Sequence, residues 1–126
     1  MIKKIISTDN APSAIGPYSQ AILAGNMLFT SGQIAIDPKT GALNMGSVEE
    51  ETTQVMNNMC AVLSESGATF ENVVKTSIFL KNMGDFNTVN EIYASYFESV
   101  YPARETVQVA KLPKDVNVEI SMIALL

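Results

Sequence analysis

Apolar residues recur along this chain at two different spacings, which predicts both helices and strands. Two segments repeat an apolar side chain every three or four residues, the spacing of one helix face. The first helix is expected to begin at Ser47, which is followed three residues later by a glutamate as in a capping box, and to end at Gly67. The second is expected to begin at Asp85 and to end at Pro102. The apolar stripes are Val48, Thr52, Val55, Met56, Met59 and Leu63 in the first helix, and Phe86, Val89, Tyr93, Tyr96, Phe97 and Val100 in the second.

The other regular segments have the β-branched or alternating character of strands. Gly25-Asn26 is typical of a two-residue hairpin connection. The predicted strands are Ile2–Ser7, Tyr18–Ala24, Met27–Ile34, Val73–Leu80 (with Val74, Thr76, Ile78 and Leu80 on one face), Arg104–Ala110 and Val116–Leu125. This order predicts an α+β fold, in which a mixed or largely antiparallel sheet carries two helices on one face, within a single domain of residues 1–126.

Apolar and mixed positions alternate along the last two predicted strands. The apolar set is Val116, Val118, Ile120 and Met122 in the final strand, with Val107 and Val109 in the strand before it. The mixed set is half polar and contains Arg104, Thr106, Glu119 and Ser121. We expect the mixed set to lie on the uncovered face of the sheet, which places Arg104 and Glu119 on the same side. We also expect a homo-oligomer to bury that face around a cavity.

The composition narrows the possible chemistry. The 126 residues include no histidine and one cysteine, which excludes His-dependent triads, His-containing zinc sites and an intrachain disulfide. The cysteine, Cys60, lies one position off the first apolar stripe, and we expect a buried, unreactive thiol. The net charge of −5 argues against a nucleic-acid-binding protein. The sequence has no signal-peptide pattern and no apolar run of membrane-spanning length, so we expect a cytoplasmic protein.

Arg104 and Glu119 are the strongest candidates for chemistry. Arg104 is the only arginine and follows Pro102 at the start of a strand, where a guanidinium can hold a carboxylate through two parallel hydrogen bonds. A structural salt bridge is the alternative for this residue. Glu119 interrupts an apolar strand, and a carboxylate buried there can orient water or relay a proton. A solvated strand residue or a partner for a lysine is the alternative for Glu119.

Four further residues are candidates for the wall of a site. Tyr18 either closes a site or belongs to the core. Because the chain has no histidine to activate a serine, Ser31 is interpreted as a hydrogen-bonding residue in the wall of the site rather than as a nucleophile. Gly32, inside a strand end, indicates a bulge or a close approach of the backbone to a ligand. Asn90 either faces solvent or reaches a cavity. The acidic run Glu49-Glu50-Glu51 is explained by the positive end of the first helix and needs no ligand.

Five motifs, in order, resemble the Rid (YjgF-like) family over essentially the whole chain. They are Ala14-Ile15-Gly16-Pro17-Tyr18-Ser19-Gln20, Thr30-Ser31-Gly32-Gln33-Ile34, Pro102-Ala103-Arg104, Ala110-Lys111-Leu112-Pro113-Lys114-Asp115 and Val118-Glu119-Ile120. The resemblance implies a chorismate-mutase-like fold assembled as a homotrimer, with sites in the clefts between subunits. It also implies hydrolysis of 2-enamine and 2-imine acids, such as 2-aminoacrylate, 2-iminopropanoate and 2-iminobutanoate, to 2-oxo acids and ammonia. No cofactor, metal, nucleic acid or membrane is expected as a partner.

The resemblance also implies roles for individual residues. Arg104 would clamp the substrate carboxylate, and Glu119 would orient the attacking water and move protons. The pocket would be lined by Tyr18, Ser31, Gly32 and Asn90. The family commonly has Ser-Cys-Val after the arginine, where this chain has Glu105-Thr106-Val107. We expect the backbone carbonyl of Thr106 to bind the imine nitrogen or water, and Glu105 to point to the face opposite Arg104.

Two other functions stay open at this point. The same pocket would also suit a non-catalytic protein that binds a 2-oxo acid or another small carboxylate and reports its level. A deaminase releases ammonia from an imino acid, whereas a protein that only binds the carboxylate does not, so an ammonia assay distinguishes the two functions. An RNA-directed activity is the second, since some family members have been described as ribonucleases or translation inhibitors, and the charge of −5 weighs against it.

Overall fold

Six strands form one mixed sheet, and two helices cover one of its faces. A computed structural model describes residues 2–126, so Met1, the first residue of the predicted domain, lies outside the described residues. The strands are β1 (Lys3–Ile6), β2 (Ala21–Ala24), β3 (Met27–Thr30), β4 (Val73–Leu80), β5 (Ala103–Gln108) and β6 (Val118–Leu125), and the helices are α1 (Val48–Glu65) and α2 (Phe86–Ala94). The strand order is β1-β2-β3-β6-β4-β5, with only β4 and β5 parallel. The predicted α+β class with both helices on one face is confirmed.

Helix α1 forms where its capping residues and apolar spacing predict it. The Ser47 hydroxyl accepts a hydrogen bond from the backbone N–H of Glu50 at 3.1 Å, and Gly67 has the left-handed φ of +85° that ends many helices. Its apolar stripe is buried against the sheet and α2. Cys60 is exposed, so the prediction of a buried thiol is wrong. The residue after Met59 is turned by about 100° around the helix, which takes its side chain off the buried stripe.

Helix α2 is shorter than its apolar pattern predicts. It ends at Ala94, where the N–H groups of Ser95, Tyr96 and Phe97 bond to carbonyls three residues back and tighten the last turn. Phe97 still packs into the core beyond this end. Val100, predicted to lie on the stripe, is 73% exposed because the chain has left the helix axis by then. Asp85 occupies the N-cap position without a side-chain capping bond.

All six predicted strands are present, and β4 has the predicted bounds, but β2 begins at Ala21 instead of Tyr18 and β3 ends at Thr30 instead of Ile34. The β2–β3 hairpin turns at Gly25, whose φ of +63° suits the predicted two-residue connection. In β4 the pairing with β6 shifts between Val73 and Lys75. This bulge turns Val74 outward, to 43% exposure, and leaves Val73 in the core. The prediction that Val74 shares a face with Thr76 is therefore wrong.

Arg104 and Glu119 lie on opposite faces of the sheet, contrary to the prediction that they share one. Thr76 of β4 is in register with Arg104, and it is buried beneath the helices. Phe79, an odd number of residues further along β4, is in register with Glu119. The error arose because β5 does not pair with β6. Strand β5 lies at the sheet edge and runs parallel to β4. The face that Arg104 occupies is therefore set by the register of β5 with β4, and alternation along each strand by itself does not determine it.

The face that carries Glu119 has no helix on it among residues 2–126, and we call it the open face. Its apolar side chains are Ile22, Phe29, Phe79, Val107 and Ile123. Phe29 and Val107 are 44% and 41% exposed. Glu105 also lies on the open face, hydrogen-bonded by Ser77 and paired with Lys75 at 2.7 Å, so its predicted orientation away from Arg104 is confirmed. No helix within residues 2–126 is long and apolar enough to span a membrane.

Candidate functional site: two half-sites

The first cluster, which we call the arginine half-site, consists of Arg104, Asn90, Phe86 and Tyr93. Arg104 Nη1 donates a hydrogen bond to Asn90 Oδ1 at 2.6 Å. The guanidinium carbon lies 5.6 Å from the ring centre of Phe86 and 5.2 Å from that of Tyr93. Both distances are within the range of cation–π attraction. About two turns of α2 therefore hold the guanidinium through three side chains.

The held guanidinium opens into a cleft. The cleft has a volume of about 420 Å³ and is lined by Asn90, Tyr93, Ala94, Tyr101, Pro102 and Arg104. Within residues 2–126, Arg104 has no carboxylate within 4.0 Å, so the structural salt bridge considered as its alternative role is absent from this part of the chain. Only one of its donors is engaged by Asn90, and the others are free to bind an anion in the cleft.

Tyr93 and Phe86 are functional-site residues that the sequence reasoning assigned to the core. Burial raises the pKa of Tyr93, while its hydrogen bond to Thr76 Oγ1 at 3.0 Å and the nearby Arg104 charge act in the opposite direction. The phenol therefore remains neutral and serves as a ring beneath the guanidinium. A signal was present in the sequence, because Phe86 and Tyr93 are four residues before and three after Asn90, on the same helix face.

Thr106 lies on the same face as Arg104, two residues further along β5. Its hydroxyl oxygen is buried and has no hydrogen-bond partner among residues 2–126. It is not among the residues that line the cleft. The Thr106 side chain thus points into the protein, next to the cleft rather than into it.

The second cluster, which we call the carboxylate half-site, consists of Glu119, Gly32, Ser31 and Tyr18. These residues line a cavity of about 570 Å³ together with Pro12, Ser13, Ile15, Gln20, Gln33, Ile34, Ile36, Pro113 and Lys114. Burial raises the pKa of Glu119 above its ordinary value. Its carboxylate accepts no hydrogen bond from any group in residues 2–126 and has no ion pair there, although Lys114 lines the same cavity.

Gly32 allows the backbone to pass directly over Glu119. A Cβ at this position would lie 2.7 Å from both Cδ and Oε2 of Glu119. Three residues, Thr30 to Gly32, face only Ser121 and Met122 between the paired positions Phe29–Ile123 and Gln33–Ile120. The strand therefore bulges here, as the glycine predicts, and the close approach is to the Glu119 carboxylate.

A buried amide fixes the loop that carries Tyr18. Gln20 is 3% exposed, accepts a hydrogen bond from the N–H of Thr8 at 2.7 Å, and donates to the carbonyl of Pro12, also at 2.7 Å. The Ser31 hydroxyl donates to the carbonyl of Ser19 at 2.6 Å, as a structural wall residue would. Tyr18 itself is 53% exposed. Nothing in the sequence indicated the role of Gln20, since glutamine side chains are mostly exposed in proteins.

The predicted site residues thus fall into two groups. Asn90, Thr106 and Arg104 lie on the helix side of the sheet, and Tyr18, Gly32 and Glu119 surround a cavity on the other. Ser31 belongs to the second group. No cluster of three or more potential metal-ligating His, Cys, Asp or Glu side chains occurs in the described part of the chain. The arginine half-site holds a cation that can bind an anion but has no acid–base group, and the carboxylate half-site holds an acid–base group but has no arginine.

Comparison with known proteins identifies the family. Residues 8–126 match the family described as endoribonuclease L-PSP. The chain belongs to this family, which is also known as the YjgF or Rid family. The match covers both half-sites and every strand and helix except β1.

Two relatives with assigned names are about half identical to this chain over almost all of its length. The human 2-iminobutanoate/2-iminopropanoate deaminase is 50% identical to this Rid-family chain over 125 residues, which cover 99% of the chain and 91% of the relative. The chloroplastic Reactive Intermediate Deaminase A of Arabidopsis thaliana is 52% identical over 124 residues, 98% of this chain and 66% of that longer protein.

Solved structures of family members have the same fold. A Rid-family protein from Yersinia pestis has a TM-score of 0.97 and 50% identity, covering 99% of this chain and 100% of that one. The TdcF protein of E. coli, solved with bound serine, has a TM-score of 0.94 and 41% identity, covering 98% of each chain.

Proposed function

We propose that this protein is a deaminase that hydrolyses 2-imino and 2-enamine acids to 2-oxo acids and ammonia, at sites formed between the copies of a homotrimer. The observation that carries the proposal is the division of the site. Within residues 2–126, one protomer presents a guanidinium without a carboxylate partner on one side of its sheet and a half-buried, unpartnered carboxylate on the other. Only a second copy can bring Glu119 over the cleft beside Arg104.

The arginine half-site suits a small molecule with a carboxylate next to a nitrogen-bearing carbon. The free donors of Arg104 can bind two carboxylate oxygens in parallel. Because Asn90 Oδ1 accepts from Arg104, the amide NH2 group of Asn90 is left to donate as well. The serine bound to the related TdcF protein has the same carboxylate and neighbouring nitrogen. The relatives named as iminobutanoate and iminopropanoate deaminases support the imino-acid class.

The reaction needs a water molecule and one carboxyl group. In the first step, Glu119 of a neighbouring copy takes a proton from water as its oxygen bonds to the imine carbon, and the C=N electron pair moves to nitrogen. In the second, the protonated Glu119 returns that proton to the nitrogen. Glu119 then takes the proton of the new hydroxyl group and passes it to the same nitrogen as the C–N bond breaks, so that ammonia leaves and the C=O bond of the 2-oxo acid forms. A carboxyl group whose pKa is raised by burial is suited to both transfers.

The open face supports the oligomer. The apolar side chains there form two patches, Phe29 with Ile123 on β3 and β6 and Phe79 with Val107 on β4 and β5, with Ser77, Ser121 and Glu105 between them. An uncovered apolar sheet face of this kind marks an interface. A closed ring of identical copies places the same two surfaces together at each contact, so every seam receives one arginine half-site and one carboxylate half-site.

The test is a turnover assay on 2-aminoacrylate generated in situ, with ammonia as the readout. Wild-type protein is expected to accelerate ammonia release, and Arg104→Ala is expected to abolish that acceleration. Lys39→Ala, which removes an exposed cation in a loop, is the matched control and should behave as wild type. Undiminished deamination by folded Arg104→Ala would overturn the assigned role.

A carboxylate-binding protein without turnover is the second candidate, and the bound serine of TdcF is the observation that favours it. Both functions use Arg104, so ligand binding does not separate them. Saturable binding of pyruvate by wild type without any ammonia release from an imino acid would favour the sensor. The family's endoribonuclease description raises an RNA-directed activity, but the charge of −5 and the absence of histidine give no support to it.

A further inference from the structure

Glu51 is a completely buried carboxylate that the proposed reaction does not use. It lies in the first turn of α1 and is 0% exposed. One carboxylate oxygen accepts hydrogen bonds from the backbone N–H groups of Asn117 and Val118, at 2.7 and 3.2 Å. The other accepts from the side-chain amide of Asn117 at 2.7 Å. All three donors are neutral, so hydrogen bonds alone compensate the buried group within residues 2–126.

The donors that Glu51 engages mark the point where β6 begins. Lys114 and Asp115, just before it, have left-handed φ angles of +55° and +56°, which are strained for residues other than glycine. The regular pairing of β6 with β4 starts only at Val118, opposite Leu80. Glu51 therefore supplies the acceptor that the N–H of Asn117 would otherwise lack, and it fixes the path of the chain as it enters the strand.

The next residue along the strand is Glu119. Its side chain has no hydrogen-bond partner in the described residues, so the position of its carboxylate depends on the backbone that carries it and on the close contact with Gly32. We propose that Glu51 is a positioning residue, which holds the start of β6 so that Glu119 is presented in its reactive position. This inference rests on the proposed deaminase function.

A buried acidic side chain is a costly way to join a helix to a strand. Taking a carboxylate out of water carries a penalty that hydrogen bonds offset only when the geometry is good. An apolar side chain at this position would pack without that penalty, but it would leave the N–H groups of Asn117 and Val118 without an acceptor. The arrangement therefore favours a fixed strand entry over stability alone.

Substitutions at residue 51 separate positioning from general stability. Glu51→Ala removes all three acceptor contacts, and we expect kcat to fall about tenfold or more, since misplacement of a reacting group by about 1 Å has effects of this size. The KM should change by less than about threefold, because Arg104 is untouched. Glu51→Gln should stay within about threefold of wild type, because its carbonyl can accept both N–H groups once the Asn117 amide flips.

The pH dependence of kcat distinguishes a positioning role of Glu51 from a purely structural one, because a purely structural role would leave it unchanged. Glu119 must be ionised to take a proton, so its pKa sets the acidic limb of kcat. If Glu51→Ala loosens the strand entry, water reaches Glu119, its pKa falls toward the ordinary value, and the limb moves to lower pH. Lys114 is the other charged side chain lining the cavity and is left intact in every variant. Glu49→Gln, an exposed carboxylate in the same helix turn, is the control and should match wild type.

Two outcomes would overturn the inference. In the first, Glu51→Ala folds, keeps the wild-type kcat and shows the same acidic limb in the pH dependence of kcat, whatever its melting temperature. If that variant does not fold, Glu51→Asp decides, because it keeps the buried charge and withdraws it by one methylene; unchanged kcat and pH profile in Glu51→Asp contradict the positioning role. Glu119→Gln is assayed in parallel. If it remains active, the proposed deaminase mechanism itself fails, independently of any result at Glu51.

Discussion

The two half-sites are built in different ways. The arginine half-site lies on regular elements, where α2 holds the guanidinium through Asn90 and two aromatic rings. The carboxylate half-site is assembled from a loop, a bulge and a glycine, and its Glu119 makes no hydrogen bond within residues 2–126. The group proposed to bind substrate is thus preorganised by satisfied contacts. The group proposed to move protons is left unsatisfied, which keeps it basic enough to react.

Glu119→Gln should change activity more than any other substitution. We expect it to lower activity and to raise stability. We expect kcat to fall by about 10²–10⁴, the usual contribution of a general acid–base group, with KM little changed. Burial raises the pKa of Glu119, so the folded protein binds more protons than the unfolded chain between the ordinary and the raised value, and stability falls as pH rises through that window. Where Glu119 is ionised in the folded protein, the neutral amide should raise the melting temperature. Steady-state kinetics and thermal unfolding measured across a range of pH check both; an unchanged kcat would contradict the proton-transfer role.

Arg104→Lys tests the arginine half-site and should weaken substrate binding. Lysine keeps the charge but has neither the planar fork nor the geometry of the bond to Asn90. We expect KM to rise by about 10–100-fold, with kcat within about threefold, because the acid–base group belongs to the other half-site. Steady-state kinetics against imino-acid concentration measure the split. A fall confined to kcat would show that the arginine takes part in the chemical step instead.

Gly32→Ala tests how closely the carboxylate half-site is fitted. The new Cβ would collide with the end of the Glu119 side chain, which is flexible and can move aside. We expect a folded protein in which kcat falls about tenfold and KM changes little. Ala14→Gly, a small change in the neighbouring loop that touches neither half-site cluster, is a suitable control. Wild-type kcat in Gly32→Ala would indicate that the precise position of Glu119 is unimportant.

Thr106→Val should have the smallest effect. The Thr106 hydroxyl is buried and has no partner among residues 2–126, and valine has the same shape without the polar group. We expect activity within about twofold of wild type and a gain of roughly 1 kcal/mol in the free energy of unfolding. Chemical denaturation and the ammonia assay measure the two quantities. A large loss of activity would show that the hydroxyl itself, rather than the backbone carbonyl at this position, contacts the substrate.

The sequence predicted the elements better than it predicted their arrangement. Helix α1 follows from local information, because Ser47, Gly67 and a regular apolar stripe define both its ends and its buried face. The faces of β5 and β6 depend on which strands pair, and that is a property of the whole chain. The placement of Arg104 beside Glu119 was wrong for this reason, while the same residues were correctly singled out by type and local context.

Buried polar groups were the features least visible in the sequence. Glu51 was interpreted as one of three acidic residues at a helix start, yet it is the only one of them that is buried. Tyr93 was placed on the apolar stripe of the second helix, and Gln20 was given no role of its own. In each case the partner lies far along the chain, as Asn117 does from Glu51, and no local spacing reveals such a contact. The expectation that the site is divided between copies came from the resemblance to the family and not from the residues alone.

The most direct test of a site shared between copies mixes two inactive proteins. Arg104→Ala and Glu119→Gln are coexpressed with different tags, and assemblies that contain both are compared with each variant alone. If every site takes Arg104 from one copy and Glu119 from its neighbour, random mixing in equal amounts restores about a quarter of the wild-type sites in the whole population. The account predicts that recovery of ammonia release. Mixed assemblies that stay as inactive as either parent would contradict it.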